Sequence, residues 1–128
     1  MLYNVYNFIR GKTVRIAVPI WKDRVSPVFD TALSLLIVDY ENHHEVSSVA
    51  YPIEEEDLAW KCRRIKELAP DIVICGAVSH IFLNMLRGDG LNVIENVSGR
   101  TEKVLEAYLK GNIFNSRFLM PGCRRHWR

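Results

Sequence analysis

The sequence predicts an α/β protein, a three-layer α/β/α sandwich of the ribonuclease H-like type with a five-stranded mixed sheet in the order β-β-β-α-β-α-β-α. Three observations carry this. Short apolar runs at 14–20, 35–40, 72–74 and 91–94 have strand length and read as buried on both faces. Helical stripes of period 3.6 separate the later runs, the mark of parallel strands joined by crossovers. The first half instead places two strand-like runs around Asn42-His43-His44, the pattern of an antiparallel hairpin.

Residues 1–12 mix Tyr3, Tyr6 and Phe8 with asparagines ahead of Gly11-Lys12 and read as an N-terminal extension. The first strand, Val-Arg-Ile-Ala-Val-Pro-Ile at 14–20, ends near Pro19. A loop follows from Trp21: Lys22-Asp23 turns the chain, and Pro27 holds Ser26 extended. The second and third strands, about 35–40 and 45–51, form the hairpin. The clearest helix spans 54–69, with Leu58, Cys62, Ile65 and Leu68 on one stripe and Arg63, Arg64, Lys66 and Glu67 facing away. Acids fill its expected first turn, which suits the helix dipole, and Pro70 stops it.

The stretch Asp71-Ile-Val-Ile-Cys-Gly-Ala-Val-Ser-His80 organises the chain. A buried strand breaks at Cys75-Gly76-Ala77, and Ser79 is placed to cap a helix running through Phe82, Leu83 and Leu86. A fifth strand at 91–94 leads to a helix capped by Thr101, striped by Val104, Leu105, Tyr108 and Leu109, and closed by Gly111. The domain is expected over 13–111, and 112–128 reads as an irregular basic tail holding Cys123. The crossover rule makes the strands at 14–20, 71–75 and 91–94 parallel neighbours, so the loop at 21–30 and the turn at 75–80 emerge at the same sheet end. In open α/β sheets that end is where ligands bind, beside helix N-termini that attract anions.

Composition narrows the function classes. The chain has 128 residues, 48% hydrophobic and 25% charged, with net charge +2, so nothing global favours nucleic acid. The basic excess is local: Arg117, Arg124, Arg125 and Arg128 fall in the last twelve residues with no acid. No apolar run reaches a membrane span, and no signal-peptide pattern is read. Three separated cysteines, Cys62, Cys75 and Cys123, then point to reduced thiols in the cytoplasm. A two-metal nuclease needs converging carboxylates, yet the first strand has no acid and Asp71 lies at the wrong end of its strand. There is no GxGxxG after the first strand, no P-loop, no CxxC and no HExxH.

Each candidate side chain has two readings. Cys75 is either a small core hydrophobe or, beside a helix N-terminus that lowers its pKa, a thiolate ligand. Cys62, on an apolar stripe, reads as core. Cys123 lies between Pro121-Gly122 and Arg124-Arg125, an accessible thiol in a positive setting or an incidental tail cysteine. His80, in the first turn of its helix, could ligate a metal or face water. His43 and His44 read as surface. Ser26-Pro27-Val28-Phe29-Asp30 is either a packed loop anchored by Phe29 or one wall of a pocket facing Cys75.

Taken together, 14–20, Arg24-Val-Ser-Pro-Val-Phe-Asp30, Cys75-Gly-Ala-Val-Ser79, the helix ended by Gly111 and Met120-Pro-Gly-Cys123 resemble the dinitrogenase iron-molybdenum cofactor biosynthesis domain family. The resemblance covers about 13–111. It implies the ribonuclease H-like sandwich and a non-enzymatic carrier of an iron-sulfur or iron-molybdenum-type cluster, working with donor and acceptor proteins. Carried onto this chain, it makes Ser26, Pro27, Phe29, Cys75, Gly76, Ala77, Val78 and Ser79 the cofactor-binding set. Arg124 and Arg125 would be electrostatic clamps, and Cys75, Cys123 and His80 the metal ligands. Many relatives read Ser-Pro-His-Phe-Gly in the first loop, whereas this chain has Val28 and Asp30, so a ligating histidine is missing there. Iron-sulfur clusters usually take about four thiolates. Either backbone N–H groups and arginines make up the difference, or a homodimer does. The alternative is a regulatory or protein-interaction module that has kept the fold and lost the metal.

Overall fold

A computed structural model describes residues 13–123, so the extension at 1–12 and the arginines at 124, 125 and 128 lie outside the described residues. Strands β1 (Thr13–Trp21), β3 (Ser34–Glu41), β4 (His44–Pro52), β5 (Ile72–Ile74) and β6 (Val93–Ile94) form the sheet in the order β4-β3-β1-β5-β6. A two-residue strand not foreseen in the sequence, β2 (Arg24–Val25), folds back antiparallel on β1 after the Lys22-Asp23 turn. β1, β5 and β6 run parallel, and β3 and β4 extend the other side as an antiparallel hairpin. Asn42 and His43 join that hairpin, both at positive φ, the backbone that two-residue hairpin turns require.

Helices α1 (Leu58–Leu68) and α2 (His80–Gly88) belong to one core, with Phe29, Leu35, Ile37, Ile65, Val73 and Phe82 at its centre. Helix α3 (Thr101–Leu109) builds the other core over Ile16, Val18, Val38 and Ile74. The sheet is therefore the middle of three layers, and the paired Phe29 and Phe82 rings, 4.9 Å apart, fasten the first loop to α2. Such tilted aromatic pairs stabilise by about 1 kcal/mol beyond area burial.

Two helix starts differ from expectation. The acids at 54–57 do not form the first turn of α1; they precede it, and the Asp57 carboxylate accepts from the Ala59 N–H at 2.9 Å as its N-cap. An aspartate is a better N-cap than a first-turn residue, which shortens the helix. Thr101 does not cap α3 either. It is the first helical residue, behind Arg100, and its hydroxyl finds no hydrogen-bond partner. The chain beyond Gly111 packs rather than trails: Ile113 and Phe118 are buried in the α3 core, and Leu119 bridges to Val97.

The N-terminal end of the parallel strands is tied off by charge. The Arg15 guanidinium donates to both Asp39 oxygens at 2.8 and 3.0 Å and to the Leu68 carbonyl at 2.7 Å. Asp71 accepts from the Arg15 N–H at 2.7 Å, a structural use of the carboxylate at the strand end opposite the site.

Candidate functional site

The parallel strands β1, β5 and β6 hand their chains to loops at one end, and those loops bind each other in order. Pro19 accepts from the Ser26 N–H, and the extended Ser26-Pro27 segment that proline geometry imposes then runs alongside Cys75-Gly76-Ala77. Ala77 N–H donates to Pro27 at 2.9 Å, and Phe29 N–H donates to Ala77 at 2.8 Å, making a parallel bridge between Val28 and Ala77. On the other side Asn96 N–H donates to Gly76 and Val97 N–H to Cys75, both at 2.9 Å. Ser98 N–H reaches the Phe118 carbonyl at 2.8 Å, and Met120 N–H reaches Asn96 at 3.0 Å. Four segments thus form a loop layer across the sheet end: 26–29, 75–77, 96–98 and 118–120.

Gly76 is required by this arrangement for space, not for φ. A Cβ there would lie 2.5 Å from the Ser26 carbonyl oxygen and 2.8 Å from that of Pro27. The sequence places Ser26, Pro27, Phe29 and the Cys75–Ser79 stretch at one sheet end, and the structure brings them into direct contact.

Cys75 is fully buried. Burial, reinforced by the Glu95 charge, pushes its thiol far above the usual range, against a smaller opposing effect from Arg87. The expected lowering by a helix N-terminus is reversed, because the thiol lies in the apolar core with Phe29, Val73 and Phe82, where loss of water outweighs any help from the helix start. As folded, Cys75 is not presented as a ligand. Cys62 is buried on α1, where its thiol donates to Asp89 at 3.1 Å, and burial with that carboxylate raises it to about 11.

Ser79 caps α2 as expected, its hydroxyl accepting from the Phe82 N–H at 3.1 Å. The Asp30 carboxylate accepts from the Ser79 N–H at 2.9 Å, so an internal anion already sits at this helix start. Asp30 thus caps a helix whose N-cap lies 49 residues further along the chain. His80 is exposed, one turn-residue beyond, and Val28 and Ile81 present apolar side chains at the rim, 44% and 69% exposed. Cys123 is half-buried, with its N–H bonded to Met120 at 3.1 Å, so the docked 118–120 segment fixes its backbone close to the layer. Among the described residues no three His, Cys, Asp or Glu side chains converge as a metal-ion site. The donor set therefore does not fit a cluster gripped by several protein thiolates of one chain; Cys123 is the accessible thiol among the described residues. The tail clamps, Arg124 and Arg125, fall outside the described residues.

Sequence reasoning missed Lys61. It is 2% exposed, in the helix stripe with Cys62, Ile65 and Leu68, and its ammonium donates to the carbonyls of Asp30 at 2.6 Å and Ala32 at 3.0 Å. A lysine four positions before Ile65 on an apolar stripe was the available signal. The 96–98 and 118–120 contacts carry no such signal, being backbone bonds between distant segments.

The sequence profile described as dinitrogenase iron-molybdenum cofactor matches residues 12–111. No curated protein matches the chain. Among solved structures, that of PH0822 is similar with a TM-score of 0.71 and 23% identity, covering 76% of this chain and 89% of the other. The apo form of the orange protein from Desulfovibrio gigas is similar with a TM-score of 0.64 and 17% identity, covering 77% and 88%. A protein of Methanocaldococcus jannaschii, provisionally assigned as a dinitrogenase, gives 0.65 and 16%, covering 78% and 91%. At these identities the structures show a shared α/β fold. No helix of the described residues is long and apolar enough to cross a membrane. With the profile spanning most of its length, the chain belongs to the dinitrogenase iron-molybdenum cofactor family.

Proposed function

We propose that this protein is a non-enzymatic binding protein that carries a metal cluster of iron-sulfur or iron-molybdenum type during cofactor assembly or delivery. Family membership supports a role tied to the cofactor. The observation that carries the reading onto this chain is the docking of 118–120 against 96–98, which sets Met120-Pro-Gly-Cys123 beside the loop layer at the carboxyl end of the parallel strands, the end at which open α/β sheets as a class bind ligands. In this reading the cargo sits on the outer rim of the layer. Cys123 supplies a thiolate, the arginines after Cys123 supply charge complement, and Cys75 is a core residue beneath. Few covalent ligands suit a carrier that must release its cargo. A homodimer would double the Cys123 count, and donor and acceptor proteins in the cytoplasm would meet the exposed Val28 and Ile81 rim.

Anaerobic reconstitution with iron and sulfide tests this directly. Bound iron with a thiolate-to-iron absorption band, lost in Cys123→Ala, supports the carrier; no bound iron in wild type overturns it. The second reading, an interaction module that has lost the metal, is favoured by two observations: the Cys75 turn is packed shut, and the α2 N-terminus is occupied by Asp30. Under that reading wild type binds no iron, and partner binding survives Cys123→Ala.

A further inference from the structure

We propose that Lys61 is the positioning residue of the loop layer: its ammonium, bonded to the Asp30 and Ala32 carbonyls, sets the 29–32 turn so that Asp30 caps α2 and the Cys75 turn stays closed. That this layer is the binding surface rests on the reading above; the positioning itself does not.

The argument starts from an improbable burial. A lysine at 2% exposure gives up the hydration of its charge, and lysines are almost never this buried without a carboxylate bound to them. Here both bonds go to backbone carbonyls, and the Asp30 and Glu56 carboxylates act only through their fields. The carbonyls belong to a tight turn, closed by the Ala32 N–H donating to Phe29 at 3.0 Å. Two acceptors aimed at one ammonium fix the orientation of that turn more sharply than packing alone.

The turn's other contacts lead straight into the layer. The Asp30 side chain leaves it to cap the Ser79 N–H at 2.9 Å. Phe29, one residue earlier, donates its N–H to Ala77 and buries its ring against Phe82. A single cation from α1 therefore governs three attachments: the turn, the start of α2 and the Val28–Ala77 bridge that covers Cys75. An apolar residue at 61 would fill the space but leave two carbonyls without partners and the turn free to rotate.

The test is hydrogen exchange on the metal-free, full-length chain, read together with thiol alkylation mapped by mass spectrometry. In Lys61→Met the Phe29, Ala77 and Ser79 amides should exchange at least tenfold faster and Cys75 should alkylate at least tenfold faster. The β1 and β3 amides should stay within threefold of wild type. Unchanged layer amides overturn the proposal. So does a uniform rise across β1, β3 and the layer, which would mark Lys61 as a general stability residue. Should Lys61→Met fail to fold, Asp30→Ala interrupts the next link with the ammonium left in place. It should speed Ser79 and Ala77 alone, and no change there refutes the chain of contacts. Because no cargo is present, the carrier reading can fail without affecting this result, and the reverse holds.

Discussion

Gly76→Ala is the sharpest perturbation of the layer. The added Cβ would sit 2.5 Å from the Ser26 carbonyl oxygen and 2.8 Å from the Pro27 carbonyl oxygen, with the Pro27 carbonyl carbon at 3.2 Å. These are backbone atoms, so no side chain can rotate away; the two loops must part by several tenths of an ångström. Overpacking of this kind costs about 1–3 kcal/mol. Parting also strains the Ala77–Pro27 and Phe29–Ala77 bonds, at 2.9 and 2.8 Å, each contributing about 1 kcal/mol net. The expected loss is about 3–5 kcal/mol, a large share of a typical domain's total, with a Tm drop of at least about 12 °C. Gly88→Ala, at the end of α2 with nothing within 4 Å, is the control and should be neutral or stabilising by about 0.5–1 kcal/mol. Urea denaturation at neutral pH measures both. A Gly76→Ala loss below about 1 kcal/mol would refute the claim that the Cys75 turn and the first loop are held in direct contact.

Other outcomes follow from the same contacts. Phe29→Ala removes the fully buried ring packed on Phe82 and should cost about 3–5 kcal/mol by chemical denaturation, with Phe29→Leu well under half of that. Arg15→Lys loses the two-pronged contact to Asp39 at a partly exposed site, so its cost should stay near 1 kcal/mol or below; a loss above about 3 kcal/mol would contradict that exposure argument. The Cys62 thiol is raised to about 11, so its neutral form is favoured by folding: that stability is complete below about pH 9 and is lost as pH rises through 11. Stability curves of wild type and Cys62→Ala should therefore converge between pH 9 and 11 by on the order of 2 kcal/mol. Parallel curves would refute the burial of that thiol beside Asp89.

The fold was legible because its signals are local. β-branched runs at 14–20 and 72–74, the Asn42-His43 turn and the stripe through Cys62, Ile65 and Leu68 each declare an element, and the crossover rule then orders the strands. Proline at 27 and small residues at 75–77 likewise marked the two loops that meet. What escaped depends on partners distant in sequence. Cys75 looks the same beside a helix start whether its thiol faces ligand or core; only its packing beneath 26–29 and 96–97 decides, and it reverses the pKa argument. Asp30 could cap any nearby N–H, and which one follows from the Phe29–Ala77 register. Helix α1 began late because the short Asp57 carboxylate suits the N-cap better than it suits a first turn, leaving the three glutamates outside the helix.

The most direct test of the central claim is anaerobic reconstitution with iron and sulfide of wild type, Cys75→Ala and Cys123→Ala, followed by metal counting and a visible spectrum. The account predicts bound iron and a thiolate-to-iron band in wild type and in Cys75→Ala, and their loss in Cys123→Ala, because Cys123 alone of the two stands accessible beside the layer. Loss of iron in Cys75→Ala with retention in Cys123→Ala would contradict the buried placement of Cys75, and no iron in wild type would contradict the carrier.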